Sequence, residues 1–305
     1  MCGDADVVTS AAAPECGGSG APSVGWPVAT ARDLRAAGIS ADRARTLRKR
    51  AELVELWHGV DLYPGHPPDA RLHAAASLGG EVVLSGPSAA RAQGFDVPAA
   101  WPDKITVEGQ LRHRRGLQVV RRPVPAPHRA VVGGLPVTSV ARTVADVLCR
   151  PWADTLWLLD QGIARGLRPA DVAACLEVGQ RGCRRAQRLL PLGRVGAESP
   201  LESRVRLILV TAGLPEPALQ HVVTAADRRF VARVDMAWPD RRLALEADGV
   251  AWHGDPAALH TDRARQNALA VLGWTTLRTT WADTYEPQRL VEVVRRALAA
   301  TARRV

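Results

Sequence analysis

The sequence has no run of about 18 consecutive apolar residues, the length a helix needs to cross a bilayer, so no membrane span is expected. No secretory leader is expected either, because Asp4 and Asp6 stand where basic residues belong and the apolar stretch beside them is too short. Cysteine is sparse. Cys2, Cys16, Cys149, Cys175 and Cys183 form no C-x-x-C pair and have no closely spaced histidine partner, so neither zinc nor disulfides are expected. These absences lead us to expect a cytoplasmic protein. Lysine is nearly missing, confined to Lys49 and Lys104, and the basic side chains are otherwise arginine.

The chain of 305 residues exceeds what one core usually organises, so two or three units are expected. The net charge of +9 and isoelectric point near 10.3 suit a partner that carries phosphates. A coding bias toward arginine and alanine explains much of the same composition, so charge alone does not identify that partner.

Residues 1–25 are small, rich in Gly, Ser, Ala and Pro, and without periodicity. They cannot bury enough apolar surface to offset the entropy of ordering and read as a disordered tail. Thr30-Ala-Arg-Asp33 is a helix start of capping-box type, and Gly38 is placed to end that helix. Ser40 caps a second helix over about 41–51, with Ala44, Leu47 and Ala51 as its buried stripe. Arg43, Arg45, Thr46, Lys49 and Arg50 fill the remaining arc, with Arg48 nearer the apolar edge. Two strands, 53–57 and 60–63, follow around His58-Gly59. Helix, turn, basic helix and hairpin together suggest a winged helix-turn-helix over 26–66, with that arc as its DNA-binding face.

The middle region, 67–150, mixes a helix at 71–78, a strand at 81–84 and a basic segment from Arg112 to Arg122. Thr138 or Ser139 caps a helix near its end. With the winged helix, Leu84-Ser-Gly-Pro-Ser88-Ala-Ala and Val137-Thr-Ser-Val-Ala-Arg-Thr-Val-Ala-Asp146 resemble the antitoxins and regulators of AbiEi type. Residues 151–195 read as a helical connector of three short helices broken at Gly166 and Gly182.

In 196–305, Ser199-Pro-Leu-Glu202 is a capping box with proline at the first helical position. A hairpin, 219–224 and 230–237, precedes a strand at 243–248. Alternation puts Leu243, Leu245 and Ala247 on one face of that strand and Ala244, Glu246 and Asp248 on the other. Antiparallel pairing would bring Asp235 to Glu246, with Glu202 at the same end of the sheet. Close carboxylates need a compensating cation, and hard oxygen ligands suit Mg²⁺. A helix opening at His260, a strand at 274–279 and a helix from Pro287 complete an αβββαβα order.

That order, with Glu202, Asp235, Glu246-x-Asp248-Gly, His253, Asp262-x-x-Arg265 and Gly273-Trp274-x-x-Leu-Arg278, resembles the uncharacterised relatives of very-short-patch-repair endonucleases in the PD-(D/E)XK superfamily. The resemblance implies a restriction-endonuclease-like fold in which Asp235 and Glu246 hold Mg²⁺ for attack of water on phosphorus. Glu202, Asp248 and His253 complete the candidate catalytic set. The superfamily's lysine two places after the second acid is Asp248 here, and His253 is placed to substitute as base or phosphate donor.

The sequence therefore points to a multi-domain α+β protein that binds DNA and cleaves it with Mg²⁺. Its rival is a regulator or antitoxin without catalysis, binding DNA through Arg43, Arg45, Lys49 and Arg50. The partners expected are DNA and either a cognate toxin or a repair protein, with no membrane.

Overall fold

Thr30 shows how firmly local chemistry fixes the first helix: its Oγ1 accepts the Asp33 N–H at 3.2 Å, and the Asp33 carboxylate accepts the Thr30 N–H at 2.8 Å. The computed structural model describes residues 28–66, 69–78, 81–108, 111, 115–248 and 256–301. The chain divides into two units, 1–70 and 71–305. The tail expected over 1–25, Arg112 to Arg114 and His253 lie outside the described residues.

In the first unit the order is β1 (Val28–Thr30), α1 (Ala31–Ala36), α2 (Ala41–Lys49), β2 (Val54–Trp57) and β3 (Val60–Leu62). β3 pairs antiparallel with both other strands. β1 was not expected, because three residues are too few to show a period. Ala29, Leu34, Ala44, Leu47 and Leu53 form the core. The stripe expected for α2 needs one correction: the helix stops at Lys49, and Ala51 is exposed in a left-handed turn at φ 57°. Leu53 fills the core position instead.

α3 (Ala70–Ala76) begins at the division between units. The second unit continues with β4 (Glu81–Leu84), α4 (Gly86–Ala92), β5 (Asp103–Glu108), β6 (Leu117–Arg121), β7 (Arg129–Val132), β8 (Leu135–Thr138) and α5 (Val140–Leu148). The strands make a mixed sheet in the order β6-β5-β4-β8-β7. The stretches 84–90 and 137–146 meet in this layer as buried polar chemistry. Ser88 Oγ accepts the Lys104 N–H at 2.9 Å, and Lys104 Nζ reaches Asp146 Oδ2 at 3.5 Å. Gly86 is required there: its φ is +51°, and a Cβ would meet Lys104 Cδ at 3.0 Å.

Three helices follow, α6 (Thr155–Ala164), α7 (Pro169–Ala174) and α8 (Cys183–Leu189), separated by Gly166 and Gly182. They share one core with α4 and α5, built on Ala90, Val144, Leu148, Leu159, Val172 and Leu189. Gly182 touches the end of α5, where any Cβ would overlap the Cys149 carbonyl. Cys149, Cys175 and Cys183 are buried free thiols.

The last part runs α9 (Pro200–Thr211), β9 (Ala218–Thr224), β10 (Phe230–Trp238), β11 (Leu243–Asp248), α10 (Pro256–Val271), β12 (Thr275–Thr280) and α11 (Pro287–Thr301). Its sheet has the order β12-β11-β10-β9, antiparallel except for the β11–β12 pair, whose parallel crossover is α10. α10 begins at Pro256, a residue suited to the first helical turn, four places before the start expected at His260. Leu201, Val205 and Leu209 of α9 and Leu290 and Val294 of α11 cover one sheet face against Met236, Leu243 and Leu245. Each such leucine contributes about 1.5–3 kcal/mol by leaving water. Leu269 of α10 covers the other face against Val234 and Ala244.

The architecture is thus α+β with several sheets. Among the described residues, no helix is long and apolar enough to cross a membrane.

Candidate functional site

Ser199 caps α9 as expected, its Oγ accepting the Glu202 N–H at 3.2 Å. The reciprocal arm differs from the expected box. Glu202 Oε2 accepts the Glu198 N–H at 2.9 Å and Gln220 Nε2 at 3.0 Å, so the acid faces β9 as well as its own helix start. Gln220 has φ 48°, a left-handed conformation that costs a side-chain-bearing residue about 1–3 kcal/mol. Such strain beside a buried acid marks the spot as constrained by more than packing.

The β10–β11 register ends with Met236 opposite Leu245, and the next residues of the two strands, Asp235 and Glu246, are in electrostatic contact. Asp235 Oδ2 accepts the Ala247 N–H at 2.8 Å, which fixes it across the two strands. Glu246 is only 5% exposed and lies on the same strand face as Ala244, the face covered by α10. From α10, Arg265 Nη1 donates to Glu246 Oε1 at 2.8 Å.

Burial is the main cause that raises the pKa of both Glu202 and Glu246, and Asp235 raises both further. Arg265 opposes the rise at Glu246. Backbone and side-chain hydrogen bonds oppose it at Glu202. Three acids from α9, β10 and β11 are therefore in electrostatic contact, with Asp235 acting on the other two. Asp248 points its carboxylate to Arg278 Nη1 at 3.3 Å, across the parallel register that pairs Glu246 with Arg278. His253 lies outside the described residues and has no position in this geometry.

Arg265 and Arg278 are the residues that sequence reasoning left without a role. Both stood in motifs, but their approach to Glu246 and Asp248 depends on the α10 crossover and on parallel pairing, neither of which has a local signal. Among the described residues, no three His, Cys, Asp or Glu side chains converge to enclose a metal. Two carboxylates still suit Mg²⁺, which is commonly held by one or two acids, waters and a substrate's phosphates.

The second candidate group is on α2. Arg43, Thr46 and Arg50 recur at helical spacing on one side, and Arg43, Lys49 and Arg50 are exposed. Arg45 is paired with Asp42 at 2.7 Å, and Arg50 lies 3.9 Å from Glu52. Thr46 turns its hydroxyl to the Asp42 carbonyl at 3.0 Å. Arg48 forks onto the fully buried Asp61 at 2.7 and 2.8 Å and so belongs to the fold.

No family model matches this chain. It is 36% identical over 262 residues to the uncharacterized proteins Rv2248 and MT2308, from two strains of Mycobacterium tuberculosis, the match covering 82% of this chain and 94% of each of theirs. The crystal structure of the Rv2827c protein from Mycobacterium tuberculosis aligns with a TM-score of 0.39 and 21% identity, over 66% of this chain and 84% of that one, a likeness too slight to support any inference. With this identity over most of both sequences, the chain belongs to the same family as those uncharacterized mycobacterial proteins.

Proposed function

We propose that this chain is a DNA-binding protein whose residues 28–62 act as a winged helix-turn-helix of AbiEi type and whose residues from 196 onward form a patch-repair-like endonuclease domain. The observation that carries the reading is the electrostatic contact of Asp235 with Glu246 on the adjacent strand and with Glu202 on α9, inside an α-β-β-β-α-β-α order. Asp235 and Glu246 would hold Mg²⁺. That ion, when bound, supplies charge for the phosphate and acidifies a bound water. Glu202 adds negative charge beside Asp235. Arg265 and Arg278 bring the positive charge that the superfamily usually places on a lysine, and either can meet a phosphodiester oxygen.

The test is nicking of supercoiled plasmid with Mg²⁺ or Mn²⁺. The wild type is expected to nick, with Asp235→Ala and Glu246→Ala each slower by at least about 100-fold. Absence of cleavage on single- and double-stranded substrates, or equal cleavage by the variants, removes the enzymatic part.

A second reading is favoured by a different observation: Arg265 and Arg278 already neutralise Glu246 and Asp248 within the chain. On that reading the protein is a regulator or antitoxin that binds DNA without cutting, and its carboxyl-terminal fold serves a protein partner such as a toxin. DNA binding with no nicking by the wild type selects it.

A further inference from the structure

Between α8, α9 and α11 runs a groove of about 750 Å³ that shares no residue with the carboxylate cluster. Leu189, Leu192, Leu207, Ile208 and Val291 give it an apolar floor. Arg185 and Arg188, one turn apart on α8, line it together with Arg295 of α11. Clefts of roughly 300–1,000 Å³ with apolar walls and a few polar groups are the usual form of small-ligand sites.

The arginines decide which ligand. Arg185 is half-buried, and its guanidinium donates only to neutral acceptors: the Leu148 carbonyl at 2.8 Å, Thr155 Oγ1 at 3.0 Å and the Trp152 carbonyl at 3.1 Å. No carboxylate pairs with it among the described residues. Burial lowers its pKa and Arg188 lowers it further, while Cys149 acts in the opposite sense. That thiol offers no real counter-charge, since burial pushes its own pKa up to about 11. Arg188 is exposed and forms no ion pair among the described residues, whereas Arg295 is matched by Glu292 at 2.9 Å. Two adjacent cations without a counter-ion therefore stand beside an apolar floor. A cation removed from water without an anion is unfavourable, and an anionic group supplied by a ligand relieves it.

We infer that this groove binds a free single-chain amphiphilic anion, its aliphatic chain on the leucine floor and its head group on Arg188 with Arg185 behind it. The inference is independent of the nuclease and regulator readings, because neither gives a role to the residues that line this groove.

The probe is dodecanoate below its micelle concentration, titrated calorimetrically into the full chain, with dodecan-1-ol as the uncharged control. Arg185 is unsuitable for substitution because it also ties the end of α5 to the start of α6. Arg188→Glu and Thr211→Trp alter exposed side chains on the groove, the first reversing charge and the second filling space, and thermal melting checks that both fold. Dodecanoate is expected to bind one to one, at least about tenfold more tightly than the alcohol, with each variant weakening it by about tenfold. No binding, equal affinity for the alcohol, or failure of either folded variant to weaken binding overturns the inference.

Discussion

Glu246 is the residue on which burial, charge and the proposed chemistry meet. Its pKa is raised chiefly by burial and by Asp235, against the opposing effect of Arg265. An acid whose folded pKa lies above its unfolded value near 4.5 binds protons more readily in the folded state. Its contribution to stability is full below that unfolded value and is lost as pH rises through the folded one. At neutral pH the ionised side chain therefore destabilises the fold. Glu246→Gln is expected to melt higher than wild type at pH 7, by on the order of 1 kcal/mol or roughly 2–4 °C, with the difference shrinking toward pH 4. If Asp235 and Glu246 hold Mg²⁺ as proposed, the ion should raise the melting temperature of the wild type and leave the variant unmoved. A variant that melts lower at pH 7 would show that the Arg265 pair outweighs the burial of the charge. Asp235 and Glu246 were legible in the sequence because a two-residue period fixes which face an acid occupies. The arginines that meet Glu246 and Asp248 were not, since a parallel crossover brings together residues that share no local pattern.

At the scale of elements, α2 separates arginines that hold the fold from arginines available to a ligand. Arg48 makes a bidentate pair with Asp61, which has no access to solvent. Arg43 and Lys49 are exposed and have no carboxylate partner among the described residues. Arg48→Ala leaves a buried carboxylate unpaired and is expected to destabilise the first unit by about 3 kcal/mol. Arg43→Gln and Lys49→Gln should be nearly neutral for stability. If α2 meets DNA phosphates, each should flatten the slope of log affinity against log salt by about one unit. Fluorescence anisotropy on duplex DNA between 50 and 200 mM salt reads this directly, and an unchanged slope in both removes α2 from the interface. The sequence showed the helix and its cationic arc. It misjudged the last turn, because Ala51 is apolar and in register, yet the chain has already left the helix through a left-handed residue.

The second unit poses a question at the scale of the molecule: whether the helices over 155–189 are a connector or part of the body. The chemistry between α6 and α9 favours one body. Arg206 of α9 is 1% exposed and donates from Nη2 to both oxygens of Asp160 on α6, at 2.9 and 2.7 Å. Ser203 Oγ donates to Asp160 Oδ2 at 2.6 Å, the Arg194 N–H donates to Oδ1 at 2.8 Å, and Arg206 also reaches the Leu192 carbonyl. Burial raises the pKa of Asp160, while Arg206 and these donors oppose the rise. Such a pair adds little net stability over an apolar replacement, but losing one partner strands the other. Asp160→Ala is accordingly expected to cost about 3–5 kcal/mol, and the double variant Asp160→Leu, Arg206→Met should cost clearly less than the sum of the two single losses, the remainder coming from the stranded Ser203, Arg194 and Leu192 groups. Denaturant unfolding followed both by tryptophan emission and by far-ultraviolet dichroism makes the comparison. If the network joins the two parts into one cooperative body, residues 71–301 give a single transition, and Asp160→Ala moves the signals of both parts together. Two transitions in the wild type, or a single-site loss below about 1 kcal/mol, would instead make 155–189 a true connector, with α9 and the sheet beyond it folding on their own.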